Sequence, residues 1–218
     1  MNVLTVLNQK YLEVPNQIVY TFIDSFSKKH DLTYKELDDE SRRIAVQILK
    51  ECKVGDRVIL LFPTGLPFVK ALWACFRAGV VPVPIPIPQP HKAIKYISSI
   101  IEDSEAILLL STEALGKQSK PVFTELRKLV KIVELASISV SNLEVFTDYK
   151  PIDKDSTTLI QYTSGTTSNP KGVMVSHENL ISNLNMMKHA AKLNEEHCLV
   201  TWLPHYHDMG LIQNFIGI

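Results

Sequence analysis

The sequence predicts an α/β fold in which a mostly parallel sheet carries helices on both faces. Two observations support this prediction. Segments with helical apolar periodicity alternate with short apolar segments along the first 135 residues. One of those short segments, residues 58–62, is a continuous apolar run of the kind that is buried on both sides. Alternating helices and strands favour parallel strands joined by helical crossovers.

The first predicted helix begins after residue 33. Thr33 and Glu36 have the spacing of a capping box, which marks a helix N-terminus. The apolar residues that follow recur with helical spacing on one face: Leu37, Ile44, Ala45, Ile48, Leu49 and Cys52. Gly55 and Asp56 then turn the chain into the strand predicted at residues 58–62.

Three further helix–strand units are predicted. A helix over residues 67–76 begins at a proline and ends at Gly79, which suits a left-handed cap, and a strand follows at residues 80–83. A helix over 92–101 precedes a strand at 106–110. A helix over 121–130 precedes a strand at 132–135.

Residues 81–90 have an unusual pattern, with proline at every second position from 82 to 90. Proline has no N–H to donate, so a central strand with a complete hydrogen-bond ladder is excluded. The segment is interpreted as a rigid, extended exit from the sheet. A docking site for a proline-recognition module is the alternative, supported by composition alone.

The composition describes a soluble globular protein and excludes several classes of partner. The chain has 218 residues with 23 basic and 23 acidic side chains, so bulk charge does not favour nucleic acid or anionic membranes. The most apolar window, residues 68–83, is interrupted by Lys70 and Arg77 and is too short to span a bilayer. The N-terminus lacks a secretory signal, and Cys52, Cys75 and Cys198 are expected to be buried free thiols in a reducing cytoplasm.

The most informative stretch is residues 162–172, YTSGTTSNPKG, between strand-like segments at 158–162 and 173–175. Gly165 and Gly172 allow close backbone approach to a ligand. Lys171 supplies a positive charge, and hydroxyl donors come from Thr163, Ser164, Thr166, Thr167 and Ser168. A polyphosphate uses all of these groups at once, so the loop is predicted to bind one.

Two other interpretations of this loop compete with that prediction. A stretch rich in Ser, Thr and Gly is often only a solvated turn, but Lys171 argues against that. The nucleotide P-loop has nearly the same spacing. It fails because Pro170 replaces its second glycine, Gly172 replaces its magnesium-binding hydroxyl, and an extended segment follows instead of a helix.

These residues resemble the phosphate-binding signature of the adenylate-forming superfamily, which includes acyl-CoA synthetases, luciferases and nonribosomal adenylation domains. Ser168 departs from the glycine of many members. Three earlier blocks resemble the same family in order and spacing, namely LTYKEL at 32–37, GDRV at 55–58 and FRAGVVPVP at 76–84. The resemblance implies the N-terminal part of the large domain of such an enzyme, with a first subdomain at 1–157 and the start of a second at 158–218.

A second functional segment follows the loop. Ser176 is a plausible N-cap for a helix to about residue 193, and a strand is predicted at 199–203. Residues 202–211, WLPHYHDMGL, resemble the histidine block of fatty-acyl-AMP ligases, in which His207 inherits the catalytic role. His205 and Gln213 depart from that pattern. Zinc binding by His205, His207 and Asp208 is the weaker alternative, because no further ligand cluster is evident.

The resemblance implies a reaction in which a fatty-acid carboxylate attacks the α-phosphorus of ATP. Thr163, Ser164, Gly165, Thr166, Thr167 and Gly172 would then bind phosphate oxygens, Lys171 would neutralise them, and His207 would position the reacting groups. Mg2+ is expected from the family, with its ligand outside this chain, and an acyl carrier protein is the expected acceptor. The later family blocks do not precede Ile218, so a fragment of a longer ligase is expected. A catalytically silent nucleotide- or partner-binding module, or part of an acyl-CoA synthetase, remains the alternative.

Overall fold

A computed structural model describes residues 3–135, 154–163, 170–194 and 197–217 of the chain. Within these residues helices and strands alternate, as the sequence predicts. The helices are α1 (Val3–Glu13), α2 (Tyr34–Leu49), α3 (Leu66–Ala78), α4 (Pro90–Ser104), α5 (Glu113–Gln118), α6 (Lys120–Leu126) and α7 (His177–Ala190), with a π-helical segment at Met209–Ile216. The strands are β1 (Ile18–Ile23), β2 (Lys29–Thr33), β3 (Arg57–Leu61), β4 (Val81–Ile85), β5 (Leu108–Ser111), β6 (Lys131–Glu134), β7 (Thr157–Thr163) and β8 (Lys171–Ser176).

The central sheet is parallel, with strand order β4-β3-β5-β6. Side chains alternate across β3, so Val58 and Leu60 face one core and Ile59 and Leu61 face the other. Helices α2 and α3 cover the first face, and α4 and α6 cover the second. The prediction of a parallel sheet with helices on both faces is confirmed.

The local signals at the helix ends behave as predicted. Thr33 caps α2, its side chain accepting a hydrogen bond from the Glu36 amide while Glu36 reaches back to the Thr33 amide. Gly79 ends α3 with φ of 69°, in the left-handed region. One prediction on α2 was wrong. Leu49, the last residue of α2, is 40% exposed, although Ile48 and Cys52 on either side of it are buried in the core.

The proline-rich segment lies at the edge of the parallel sheet. Strand β4 contains Pro82 and Pro84 and has a single ladder partner, β3, among the described residues. The other edge of β4 lies against β7 without a described ladder between them. Edge strands tolerate proline because one row of N–H groups has no partner to reach. The interpretation as an extended exit from the sheet needs correction, because residues 81–85 are an edge strand of the sheet and α4 already begins at Pro90.

Several elements differ from the sequence prediction. Helix α1, the antiparallel hairpin β1–β2 and helix α5 were not predicted. The helix predicted to reach residue 130 ends at Leu126. Residues 199–203 are irregular instead of a strand, with Val200 and Trp202 85% and 90% exposed. A β-rich composition forms a strand only where a neighbouring strand accepts its backbone hydrogen bonds, and no described strand pairs with this segment.

The C-terminal elements pack on the first core. Leu159, Leu180, Leu211 and Ile216 belong to the same buried cluster as the apolar faces of α2 and α3. The Tyr20 hydroxyl donates to the Phe215 carbonyl at 2.6 Å and accepts from the Trp73 indole at 3.2 Å. The boundary at residues 157 and 158 stays a prediction.

A buried charged pair joins α3 to α2. Arg77 is fully buried, and its guanidinium lies 2.6 Å from the Asp38 carboxylate and 2.8 Å from the Ser41 hydroxyl. Asp38 also accepts from Arg42 at 2.8 Å. Such pairing is the condition under which a charge is tolerated in a core. None of the helices in the described part of the chain has the length and apolar character needed to cross a membrane.

Candidate active site

The phosphate loop is closed at its base by the hairpin β7–β8. The two strands are antiparallel, with Thr163 opposite Lys171 and Tyr162 opposite Gly172. Directly opposed residues in such a pair have Cα atoms about 4.5–5.5 Å apart. The Thr163 hydroxyl and the Lys171 ammonium group are therefore held at the two ends of one short loop, and both residues are exposed. The two strands predicted on either side of the loop are confirmed.

The remaining residues predicted for the loop fall between these ends. Ser164, Gly165, Thr166 and Thr167 lie outside the described residues. Their roles in phosphate binding stay predictions. Of the predicted phosphate-binding residues, the structure therefore places Thr163, Lys171 and Gly172.

Gly172 packs closely against the strand opposite. A Cβ atom at this position would lie 3.0 Å from Ile160 Cγ2 and 3.0 Å from Tyr162 Cζ. The Tyr162 hydroxyl in turn donates a hydrogen bond to the Asp103 carboxylate on α4. The base of the loop is thus fixed by contacts between β7, β8 and α4.

The segment carrying His207 forms a compact turn that leads into the π-helical segment. The His207 amide donates to the Pro204 carbonyl at 3.1 Å, and the Leu211 amide donates to the His207 carbonyl at 2.7 Å. A Cβ on Gly210 would lie 2.1 Å from the Pro204 carbonyl oxygen, so only glycine fits there. The turn leaves the His207 side chain exposed. π-Helical turns are rare in proteins, and those that do occur are often at functional sites.

His205 has the opposite environment from His207. It is buried, its ring centroid lies 4.1 Å from that of Phe68, and its Nδ1 lies 3.3 Å from the Thr64 hydroxyl. Burial lowers the pKa of His205 to about 4, so its imidazole is neutral at pH 7. With one ring buried and the other exposed, the structure gives no support to a shared zinc site. Among the described residues no group of three His, Cys, Asp or Glu side chains could hold a metal.

Gln161 links strand β7 to the segment that carries His207. The sequence did not predict this residue as part of the site. Its side-chain amide donates to the Tyr206 carbonyl at 3.3 Å, one residue before His207. Gln161 is buried on β7, two residues before Thr163. The sequence feature that could have identified Gln161 is its polar amide, which follows Leu159 and Ile160 in the strand-like segment TLIQY. Buried amides are almost always hydrogen-bonded.

A cavity of about 160 Å³ lies near the first residues of β7, at the opposite end of the strand from the loop. Ser156, Thr158 and His177 are among its lining residues. The first amides of α7 already have acceptors, since His177 donates to the Ser156 carbonyl and Glu178 to the Lys154 carbonyl. Because these two amides are already hydrogen-bonded within the chain, the N-terminus of α7 is interpreted as a structural contact and not as an anion-binding site.

The sequence matches the family described as AMP-binding enzyme over residues 9–218. The chain belongs to the AMP-binding enzyme family. This match covers β7, β8 and the His207 segment together with the parallel sheet. It confirms the resemblance drawn from the loop and from the blocks that precede it.

Individual members of the AMP-binding family are similar over most of the chain. The medium-chain-fatty-acid–[acyl-carrier-protein] ligase JamA of Moorena producens is 36% identical over 203 residues, covering 90% of this chain and 34% of JamA. The fatty acyl-adenylate ligase of L. pneumophila, solved with acyl adenylate and pyrophosphate, superposes with a TM-score of 0.88 at 32% identity. That match covers 99% of this chain and 37% of the solved one. The putative fatty-acid–CoA ligase FadD21 of Mycobacterium tuberculosis is 29% identical over 228 residues, covering 99% of this chain and 39% of FadD21.

The chain therefore spans between a third and two fifths of the length of these relatives. The relatives are fatty-acid ligases whose printed names differ in the acceptor, an acyl carrier protein for JamA and coenzyme A for FadD21.

The cysteines require one correction. Cys52 and Cys75 are buried, as expected. Cys198 is exposed, because it lies in irregular structure directly before residues 199–203, which form no strand.

Proposed function

We propose that this chain is the N-terminal part of a fatty-acyl-AMP ligase, which activates a fatty acid with ATP to an acyl adenylate and pyrophosphate. One observation carries the proposal. The antiparallel pair of Thr163 and Lys171 closes a loop rich in hydroxyl groups, and Gln161 on the same strand contacts the segment that presents His207. Strand β7 thus carries one end of the proposed phosphate loop and also contacts the segment that presents the His207 imidazole.

The chemistry requires stabilisation of negative charge. Attack on the α-phosphorus spreads charge over the phosphoryl oxygens, and fixed donors and cations lower the energy of that state. The Thr163 hydroxyl and the Lys171 ammonium group would bind the oxygens of the departing pyrophosphate, together with the groups of Ser164 to Thr167 and the Gly172 backbone. Hydrogen bonds to charged groups contribute about 1.5–3 kcal/mol each, so the loss of several of them should disable the site.

His207 would position reactants instead of accepting a proton. A fatty-acid carboxylate has a pKa far below 7 and is already ionised, so it needs no base. The exposed imidazole on a tight turn is suited to donating a hydrogen bond to a carboxylate or to an α-phosphate oxygen. ATP would enter with Mg2+, as the family resemblance implies.

The acceptor and the location belong to the proposal as well. The name of JamA, the relative with 36% identity, supports transfer of the acyl group to an acyl carrier protein, with coenzyme A as the alternative. The buried free thiols of Cys52 and Cys75 support a reducing, cytoplasmic compartment.

A catalytically silent nucleotide- or partner-binding fragment is the second candidate. In this case the loop would still bind a polyphosphate.

The test measures ATP–pyrophosphate exchange with medium- and long-chain fatty acids. The 218-residue chain is compared with a chimera in which it replaces the corresponding first third of JamA. We expect exchange in the chimera that Lys171→Ala abolishes and that Lys188→Ala, which removes an exposed lysine on α7, leaves unchanged. Thioester formation with a carrier protein or with free coenzyme A then identifies the acceptor.

Three results would count against parts of the proposal. Exchange that survives Lys171→Ala would remove the loop from the active site. A folded chimera without exchange, whose loop still binds pyrophosphate, would favour the silent fragment. Binding of pyrophosphate by neither protein would reject the phosphate site itself.

A further inference from the structure

We infer that Gln161 is a positioning residue that fixes the turn carrying His207 relative to the phosphate loop, through its hydrogen bond to the Tyr206 carbonyl. The inference rests on the proposed function, because it assigns a role to the link between the two halves of that site. Gln161 itself touches no reacting group in this proposal.

The strand geometry places Gln161 on the relevant face. Leu159 belongs to the core beneath α2 and α3, whereas Ile160 and Tyr162 belong to the core on the other face of the sheet. Side chains alternate along a strand, so Gln161 and Thr163 share the face of Leu159. Gln161, which bonds to Tyr206, therefore projects from the same side of β7 as Thr163, which carries the first hydroxyl of the phosphate loop.

The burial of Gln161 shows why an amide stands at this position. Gln161 is 7% exposed and stands between Ile160 and Tyr162 in the buried part of β7, and burying an amide without a partner is unfavourable. The described bond to the Tyr206 carbonyl, at 3.3 Å, satisfies one of its N–H groups. An apolar side chain would suit the surrounding core and would leave that bond unmade.

Other contacts also hold the turn, but they connect it to different parts of the molecule than Gln161 does. His205 anchors one side by its contacts with Thr64 and Phe68. Gly210 allows the π-helical segment to approach the Pro204 carbonyl. These contacts tie the turn to the region of α3 and to neighbouring residues in its own segment. Among the described hydrogen bonds of this turn, the one from Gln161 ties it to β7, the strand that leads into the phosphate loop. Loss of Gln161 should therefore let the turn open more often and uncouple His207 from the phosphate site, while the rest of the chain stays folded.

The experiment uses NMR on the 218-residue chain, with pyrophosphate as the probe. Gln161→Met removes the donor and keeps an unbranched side chain, and Gln161→Glu keeps the length and replaces the donor with a carboxylate at pH 7.5. Ile97→Val, in the core on the opposite face of the sheet, controls for a general loss of packing. Hydrogen exchange of the His207 amide and the pH titration of the His207 ring are measured with and without pyrophosphate.

We expect both Gln161 variants to speed exchange of the His207 amide at least tenfold, and Ile97→Val to change it less than twofold. Pyrophosphate should shift the titration midpoint of the His207 ring in the wild-type chain and in Ile97→Val. That shift should disappear in both Gln161 variants, although the phosphate loop is intact. A purely structural role would change exchange but would leave the shift in place.

Wild-type exchange at His207 in either folded Gln161 variant would overturn the inference, as would retention of the pyrophosphate-induced shift in both. A wild-type chain that binds no pyrophosphate would instead reject the proposed phosphate site. The exchange comparison, which needs no ligand, would then still decide whether Gln161 holds the turn.

Discussion

The Tyr162 hydroxyl donates a hydrogen bond to the Asp103 carboxylate, which ties strand β7 to helix α4 directly before the phosphate loop. Burial, reinforced by the neighbouring Asp103, raises the pKa of the Tyr162 phenol. The phenol therefore keeps its proton at neutral pH and remains a donor to Asp103. The same ring lies against Gly172 on β8, so one side chain braces both strands at the base of the loop.

We expect Tyr162→Phe to lower the free energy of unfolding by about 1–2 kcal/mol, because it removes a hydrogen bond to a charged group that is itself exposed and can rehydrate. For a chain of this size the thermal midpoint should fall by about 2–4 °C per kcal/mol. Circular dichroism melts at pH 7 measure the change. Tyr11→Phe on α1 removes the same hydroxyl far from this contact, and an equal loss in both variants would contradict the assignment.

Glycine-to-alanine substitutions at the site should differ in severity. Gly210→Ala would force a Cβ against the rigid Pro204 backbone at 2.1 Å, whereas Gly172→Ala would meet side-chain atoms of Ile160 and Tyr162 at 3.0 Å. We expect about 1–3 kcal/mol of destabilisation for Gly172→Ala, as for ordinary overpacking. Gly210→Ala should exceed this value or prevent folding. Urea unfolding curves rank the two, and the reverse order would contradict the close approach at Gly210.

His205 should make stability depend on pH in the acid range. Its folded-state pKa of about 4 lies below the value of 6.5 for a free imidazole, because the ring is buried. The unfolded chain therefore takes up a proton at higher pH than the folded chain. The stability from the neutral ring is present above pH 6.5 and is lost progressively as the pH falls through 4.

Between pH 7 and pH 5 the loss from His205 alone should be about 2 kcal/mol, since one pKa unit corresponds to about 1.4 kcal/mol. Urea unfolding of the wild-type chain and of His205→Gln at both pH values isolates this contribution, because the other titrating groups are common to both proteins. The variant should lose less stability than the wild type on acidification. Identical losses would mean that His205 titrates normally in the folded chain.

The buried pair of Arg77 and Asp38 should be sensitive to removal of one partner. Arg77→Ala leaves a buried carboxylate with Arg42 as its remaining cation, and breaking a buried ion pair costs about 3–5 kcal/mol. We expect a loss near the lower end, because Arg42 stays at 2.8 Å. Lys117→Ala, which breaks an exposed pair with Glu113, should cost less than about 1 kcal/mol in the same urea titration. A similar cost for both would contradict the burial of the pair.

Local sequence signals predicted the elements whose causes are local. The capping box at Thr33 and Glu36, the left-handed cap at Gly79 and the N-cap at Ser176 are all observed. Each depends on a few neighbouring residues, so the sequence alone identifies it. The hairpin around the phosphate loop was predicted for the same reason, because apolar strand segments flank the loop directly.

Predictions that needed a distant partner were less successful. Residues 199–203 have strand composition and form no strand among the described residues, because no neighbour accepts their hydrogen bonds. Strands β1 and β2 form a hairpin despite polar residues such as Lys29, His30 and Asp31, since the hairpin packs on α1 and α2 through Val19, Tyr20 and Leu32. Pairing and burial decide these segments, and neither can be observed in a single stretch of sequence.

The sequence by itself determined that this chain carries a hydroxyl-rich loop with Lys171, a histidine block with His207 and the parallel α/β fold that supports them. Only the tertiary structure decided how the two are connected. The bond from Gln161 to Tyr206 and the burial of His205 against Phe68 join residues far apart in the chain. Such contacts depend on which surfaces meet after folding, whereas motifs, caps and apolar runs depend on neighbours in the sequence.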